Sequence, residues 1–513
     1  MATRKEFSIR DLDRTQTQPF PSQAQVTWLV FALAIFFCLT VLVVARYPFV
    51  WTDEVVYTDP AVNFVNGHGF ASTAWYTQES GAFWTGNVPM YSFLLVPWLK
   101  LFGISIRSVR SMSGFFFSAF LLLSLVSGIR LRLVSDRTSR LCFLGALAGG
   151  YGMIFCNGDG RPDSLGMLLV GSYMFLYGVR TTWIRLSGFF LAGFVAPWIG
   201  FQLLPFQAVT GVVLWSFLGR AFFPLLAAAG LGSVVGLFGL WLLYSHFGVL
   251  VSFMRSIQPD TGAFIQSLLS GVMEHRNLLP KDFSLFPMLL GAIAILVLLR
   301  HKHEKRLLRS PLFVCVLIAI SVSLALVLFG RFPTYYSWMA YVPLALGVCH
   351  SIGVSARGTS VWRIGVAACI LSGSIGVSLH ALNLFGCWSD RSYCNVERLV
   401  SQSVFPDEDV YAEYAAYYAL HPITRRAYYP SYLGVMTEDE KARLEVLISY
   451  PYNLARVTHE VGGQWEPTGQ KFTPRSDGFF GSRGALGYLS LPNYGLAVYR
   501  RVRTSVPRRE AGQ

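Results

Sequence analysis

Along most of the chain, polar positions bunch between uncharged apolar stretches close to 20 residues long. That spacing predicts membrane-crossing helices, because a hydrocarbon core about 30 Å thick takes about 20 helical residues to cross. The clearest stretch is "VTWLVFALAIFFCLTVLVVA", residues 26–45. It is too long for a signal-peptide core and has no small-residue cleavage site, so it reads as a retained signal-anchor helix behind a polar tail, residues 1–25. Continuing the pattern gives eleven predicted spans, at 26–45, 107–129, 140–157, 164–180, 185–199, 200–219, 221–245, 284–300, 311–330, 334–353 and 363–385. Between the fifth and sixth, "VAPWIGFQLLPF" reads either as a short turn or as a break in one longer helix.

Past residue 385 the period changes. "DEDVYAEY", "LEVLISY" and "LGYLSLPNYGLAVYRRV" alternate in the manner of strands, the last suggesting a hairpin around Pro492, Asn493 and Gly495, with helical periodicity between the runs. The expectation is a mainly α, polytopic bundle followed by a small α/β domain, residues 386–513, with a basic tail at 500–509.

Composition excludes a soluble chain: 53% of residues are apolar and only 14% charged. The net charge of +14 would suit a nucleic-acid partner, but the basic residues are segregated into alternate loops. Arg4, Lys5, Arg10 and Arg14 precede the first span; "RLRLVSDRTSR" (130–140) and "RHKHEKRLLR" (300–309) are the dense clusters; Arg180 with Arg185, Arg220, and Arg357 with Arg363 complete the set. Positive loops mark the cytoplasmic side, which sets the N-terminus inside, the C-terminal domain outside and the lipid bilayer, not nucleic acid, as the partner. "PMYSFLLVPWLKLFG" (89–103) is left out of the count, since a crossing there would carry the arginines of 130–140 outside; with Pro97 and Lys100 in about fifteen residues, it reads as an interfacial helix.

With this topology the acids gather at one face. Asp53 and Glu54 open the outer loop 46–106, and "NGDGRPDSLG" sets Asp159 and Asp163 in a tight outer turn. The outer loop 246–283 carries Arg255, Asp260, Glu274, His275, Arg276 and Lys281, and "RFPTYYSW" carries Arg331, Tyr335 and Tyr336. Each has a plainer reading. Asp163 after Pro162 suits a helix cap, Asp53 and Glu54 suit a solvated helix start, Arg331 and the tyrosines suit an interfacial belt, and the remaining cations suit a surface. His68, and His275 beside Glu274, have no second ligand at a recognisable metal spacing.

Several of these segments, in order, resemble one family. The first span leads into "DE..Y...A" (Asp53, Glu54, Tyr57, Ala61). "VPMYSFLLVPWLKLFGISIRSVRSMSG" then leads to an arginine at the head of the second span, Arg107 or Arg110. "RPD" and "RFPTYYSWMAYVPLALG" follow. Over roughly residues 26–385 the chain resembles the GT-C integral-membrane glycosyltransferases of the protein O-mannosyltransferase and aminoarabinose transferase kind. It departs from several relatives in carrying Asn87, where they place a basic residue ahead of the "P.Y" helix.

The resemblance implies a polyprenyl-phosphate sugar donor in the bilayer and an acceptor hydroxyl, on a glycan, lipid or protein, arriving outside. Inverting transfer needs a base, and the departing polyprenyl phosphate needs positive charge. Asp53 is the expected base, with Tyr57 one helical turn along and Glu54 as the alternative. Asp163 and Asp159 are expected to fix the acceptor or to share a divalent cation with the first-loop acids. Arg331, Lys281, Arg255 and Arg276 are the candidates for gripping phosphate, with Tyr335 beside them. The rival reading is a transporter or flippase of a lipid-linked sugar, which would set ionisable groups near the bilayer midplane; acids at one mouth favour the enzyme. A nucleotide-sugar donor finds no support, as no phosphate-binding glycine loop is present. Six cysteines lie in or beside apolar spans; Cys387 and Cys394, past the last span, are expected to form a short-loop disulfide in an oxidising compartment.

Overall fold

The computed structural model describes residues 23–75, 81–86, 88–257, 282–302, 307–328, 336–424, 426–474 and 494–502. Asn87, Asp260, Glu274, His275, Arg276, Lys281, Arg331, Tyr335, Pro492 and Asn493 lie outside the described residues, as do most of the polar N-terminal tail and of the basic C-terminal tail.

The chain divides into two compact units. The bundle unit comprises residues 1–48, 85–103 and 107–385, and the sheet unit comprises 49–84, 104–106 and 386–513. The segment that carries the first-loop acids therefore folds with the C-terminal region.

In the bundle unit the helices are α1 (Gln23–Val43), α3 (Pro89–Phe102), α4 (Ile106–Arg130), α5 (Arg137–Gly149), α6 (Tyr151–Gly158), α7 (Asp163–Tyr177), α8 (Thr182–Ile199), α9 (Leu203–Leu218), α10 (Phe223–His246), α11 (Leu250–Ile257), α12 (Leu285–Lys302), α13 (Pro311–Leu328), α14 (Trp338–Val354) and α15 (Ser360–Gly386). The sheet unit contributes α2 (Thr52–Val65) and the elements after residue 386. A helix stands at each apolar stretch predicted to span. Six of them, α4, α8, α9 with its 3₁₀ extension, α10, α13 and α15, are long and apolar enough to cross a membrane; the bent pair α5–α6 makes a seventh if it is one span. The chain is an integral membrane protein, and among the described residues length and composition carry six or seven spans where the sequence pattern suggested eleven.

The bend between α5 and α6 is 58° and falls at Gly149–Gly150. The backbone of α15 comes so close there that a Cβ on Gly376 would stand 2.0 Å from the carbonyl oxygen of Gly149, a contact only glycine permits. In α3 the segment 89–102 is helical through Pro97; it buries Tyr91, Leu95 and Leu99 and leaves Leu94, Leu101 and Phe102 exposed.

The sheet unit holds a five-stranded sheet of β1 (Val410–Ala412), β2 (Ala427–Tyr428), β3 (Val446–Ser449), β4 (Trp465–Lys471) and β5 (Ala497–Arg501), in the order β2-β1-β3-β5-β4. β1 pairs parallel with β2 and β3, and β5 pairs antiparallel with β3 and β4. Val410, Tyr411, Leu447, Ile448 and Val498 are buried to 1% exposure or less. Strands covered on both faces read as continuous apolar runs, which is the form that "VLIS" takes.

Cys387 is buried and Cys394 exposed, and no disulfide joins them. The bridge expected between them is not formed. Cys387 lies in the turn after α15, while Cys394 rides the outer face of α16 (Tyr393–Ser401).

Candidate active site

The sheet unit carries the first group of acids. Trp51 is extended, and α2 begins at Thr52 with Asp53 and Glu54 in its first turn, where the exposed amide ends of the helix favour negative charge. Asp53 and Tyr57 are one turn apart on a shared face, and both are partly exposed. Glu54 turns inward, is fully buried and accepts from the Tyr418 hydroxyl at 3.2 Å. Tyr57 packs edge-on to Trp84, 6.4 Å between ring centroids, and Trp75 and Phe70 flank Trp84 in turn. The aromatic core beneath the face fixes the helix, leaving Asp53 as the partly exposed acid of the pair.

Asp59, absent from the sequence-derived candidates, accepts three hydrogen bonds in this unit. Its Oδ1 accepts from the Tyr417 hydroxyl at 2.9 Å and faces His421 Nε2 at 3.6 Å; its Oδ2 accepts from Ser72 Oγ at 2.7 Å and the Thr73 amide at 3.0 Å. Tyr417, Tyr418 and Tyr429 crowd around this point, fully or almost fully buried, and burial first and the Asp59 charge second push the phenols of Tyr417 and Tyr429 well above their usual range. Burial likewise pushes Tyr414 up to about 12, with the nearby charges of Glu413 and Asp53 adding to it. These phenols remain protonated at any physiological pH, and Tyr417 and Tyr414 use theirs as fixed donors, to Asp59 and to Ser431. The signal was a run of four tyrosines within "YAEYAAYYAL", which alternation alone could not tie to an acid more than 350 residues earlier.

The bundle unit carries the second group. Asp159 ends α6, and Asp163 starts α7; they are 0% and 2% exposed. Between them Arg161, 1% exposed, donates from Nε to Asp163 Oδ2 at 2.8 Å. Pro162 stands at the cap position of α7, and Asp163, the first helical residue, is engaged in a buried ion pair with Arg161. Of the two arginines proposed for the head of α4, Arg107 is exposed, and Arg110 is fully buried with Nη1 donating to the carbonyls of Val44 and Pro48 at 2.6 Å each. Arg110 thus closes the C-terminal end of α1, whose last carbonyls have no helical partners.

A further buried acid, Asp282, went unremarked in the sequence because it immediately precedes an apolar span. Its Oδ1 accepts from Ser284 Oγ at 2.5 Å, its Oδ2 accepts from Ser337 Oγ, and Ser284 Oγ receives the Tyr151 amide at 2.9 Å. Complete burial raises its pKa in spite of these donors. Arg255, on the last turn of α11, is exposed. Among the described residues no three His, Cys, Asp or Glu side chains come together as a metal-holding group.

No family model and no curated protein matches the sequence. Solved structures do match. ArnT from Cupriavidus metallidurans in the apo state is 12% identical, with a TM-score of 0.59, and the match covers 94% of this chain and 99% of that one. The same protein bound to undecaprenyl phosphate is 13% identical, with a TM-score of 0.53 and the same coverage. Nearly end to end, from the apolar helices through the small C-terminal sheet, this chain has the fold of ArnT, a GT-C glycosyltransferase fold.

Proposed function

We propose that the chain is a membrane glycosyltransferase that moves a sugar from a polyprenyl-phosphate carrier to an acceptor hydroxyl on the outer face of the cytoplasmic membrane, with inversion and with Asp53 as the base. The observation that carries this reading is the near-complete match in fold to ArnT, whose solved complex holds undecaprenyl phosphate. Asp53, partly exposed in the first turn of α2, supports the assignment of the base; buried Glu54, held by Tyr418, suits an orienting role. The sidedness rests on the basic loops, which the positive-inside rule sets in the cytoplasm. Arg331 and Lys281 remain the proposed phosphate grips, joined by Tyr335, with Arg255 at the surface. Asp163, engaged by Arg161, is assigned to shaping the turn that opens α7.

In the proposed step the acceptor oxygen attacks the anomeric carbon as the bond from that carbon to the phosphate oxygen breaks. Asp53 takes the hydroxyl proton, and the polyprenyl phosphate departs as an anion that needs no strong general acid. The deciding experiment incubates purified protein with radiolabelled polyprenyl-phosphate sugars and membrane extract. Label should move into a glycan, lipid or protein fraction. Label that crosses vesicles unchanged, with none transferred, would make the chain a transporter instead.

A further inference from the structure

The bundle unit holds an apolar cavity of about 230 Å³, open in part to its surroundings, lined by α7, α8, α9, α10, α13 and α14 together with Leu131 and Leu133. Apart from Gln207, Thr210 and two tyrosines its walls are almost wholly hydrocarbon. Small-ligand pockets carry several convergent polar groups, so walls this apolar suit a hydrocarbon chain better than a sugar.

The cavity extends along α7 from Leu169 to Tyr177, and so reaches the end of that helix remote from Asp163. Tyr173 and Tyr177 line it, and the fourteen-residue climb from Asp163 to Tyr177 along α7 spans about 21 Å. Arginines adjoin the lining residues in sequence at that end. Arg130 and Arg132 flank the lining residues Leu131 and Leu133, Arg220 lies between the lining residues Leu218 and Phe222, and Arg309 precedes the lining Pro311. Arg130 reaches from α4 to donate to the Gly178 carbonyl at 2.8 Å, one residue beyond Tyr177, and the charge of Arg180 bears directly on it. Two like charges held at one helix end create a place where an anion is stabilised. The acid described in this stretch, Asp136, is occupied in capping α5 through the Ser139 amide at 2.8 Å.

Inside, the Tyr173 hydroxyl, Thr210 Oγ1 and Gln207 Oε1 are buried without a hydrogen-bond partner. The Gln207 amide nitrogen donates to Ser233 Oγ at 3.1 Å, which fixes the side chain and leaves its oxygen unsatisfied. A hydrocarbon wall, polar atoms seeking partners and a cationic rim together describe a lipid with an anionic head.

We infer that this cavity is a binding site for an anionic phospholipid, which lays an acyl chain between α7, α9 and α13 and sets its phosphate among the arginines at the ends of α4, α7 and α9. Basic pockets between membrane helices hold anionic headgroups for the same electrostatic reason. None of the lining residues is an acid, and the site does not rest on the proposed transferase activity.

The test is native mass spectrometry of the full-length protein after exchange into an equimolar mixture of phosphatidylglycerol, phosphatidylethanolamine and phosphatidylcholine, with thermal unfolding measured in each lipid alone. Wild type should retain one phosphatidylglycerol. Leu214→Trp, which fills the cavity from α9, should lose it. Arg180→Gln with Arg220→Gln leaves the apolar walls intact and should cut the preference for phosphatidylglycerol over phosphatidylcholine roughly tenfold, the scale of one or two surface arginines. Should Leu214→Trp fail to fold, the arginine pair decides alone. Equal retention of the three lipids by wild type, an unchanged preference in the arginine variant, or displacement of phosphatidylglycerol by undecaprenyl phosphate at equal concentration would overturn the inference, the last by assigning the cavity to a polyprenyl chain.

Discussion

The Tyr417 hydroxyl donates to Asp59 Oδ1 at 2.9 Å, and so pins the helix that carries Asp53 and Glu54 to the tyrosine-rich turn ahead of β2. A buried hydrogen bond to a carboxylate is worth roughly 1.5–3 kcal/mol. Tyr417→Phe should therefore lower the unfolding temperature measurably, and Asp59→Ala, which orphans the Tyr417 and Ser72 hydroxyls together, should lower it more. Differential scanning fluorimetry of the detergent-solubilised protein checks both, and a Tyr417→Phe curve that overlays wild type would show the contact to be incidental.

Asp53→Asn keeps the shape of the side chain and removes its basicity. Under the proposed mechanism, turnover with a polyprenyl-phosphate sugar should fall roughly 100-fold to 10,000-fold while donor affinity holds. Glu54→Gln should cost less in turnover and more in stability, because Glu54 is buried against Tyr418. Full turnover in Asp53→Asn would transfer the role of base to another acid.

The Arg161–Asp163 pair offers a double-mutant cycle. Both side chains are almost entirely shielded, so removing Arg161 alone strands a buried charge at a cost of roughly 3–5 kcal/mol. Arg161→Met should destabilise severely, and Arg161→Met with Asp163→Asn should recover much of the loss. Chemical denaturation of the three variants measures the coupling; additive losses would mean that the two residues do not stabilise each other.

Glu413 sets a pH dependence. Burial is the main cause of its raised pKa, against hydrogen bonds from Asn453 at 3.0 Å and Ser449 at 3.2 Å that pull the other way. A carboxyl with a raised folded-state pKa binds its proton more tightly folded than unfolded. Its contribution to stability is full below its ordinary 4.5 and is lost as pH rises through the folded value. Melting curves taken from pH 4.5 upward should fall less steeply for Glu413→Gln than for wild type. Parallel curves would remove Glu413 as the cause.

The helices were legible because apolar length is a local property: every predicted stretch, from 26–45 to 363–385, has a helix in it. The kink at Gly149–Gly150 was not, since it depends on the distant Gly376. Asp53, Glu54, Asp159 and Asp163 could be singled out from their order along the chain. Asp59 and Asp282 could not, as their partners Tyr417 and Ser337 are far away in sequence and no short-range pattern records them. The disulfide expectation failed for a similar reason: spacing alone cannot tell that one cysteine is buried and its neighbour exposed.

The union of residues 49–84 with 386–513 in one unit bears on how the protein is made. Synthesis runs from the N-terminus at about 5–20 residues per second, so the 358 residues separating Asp59 from Tyr417 take roughly 20 to 70 s to emerge. Through that interval the acid-bearing helix has Ser72 and Thr73 to bond Asp59 but none of its tyrosine props, while the bundle helices are already being inserted. A chain stopped at residue 385 would contain every bundle helix and still lack the partners that bury Glu54 and Asp59. Under the proposed function, residues 1–385 alone should therefore lack a working acid helix.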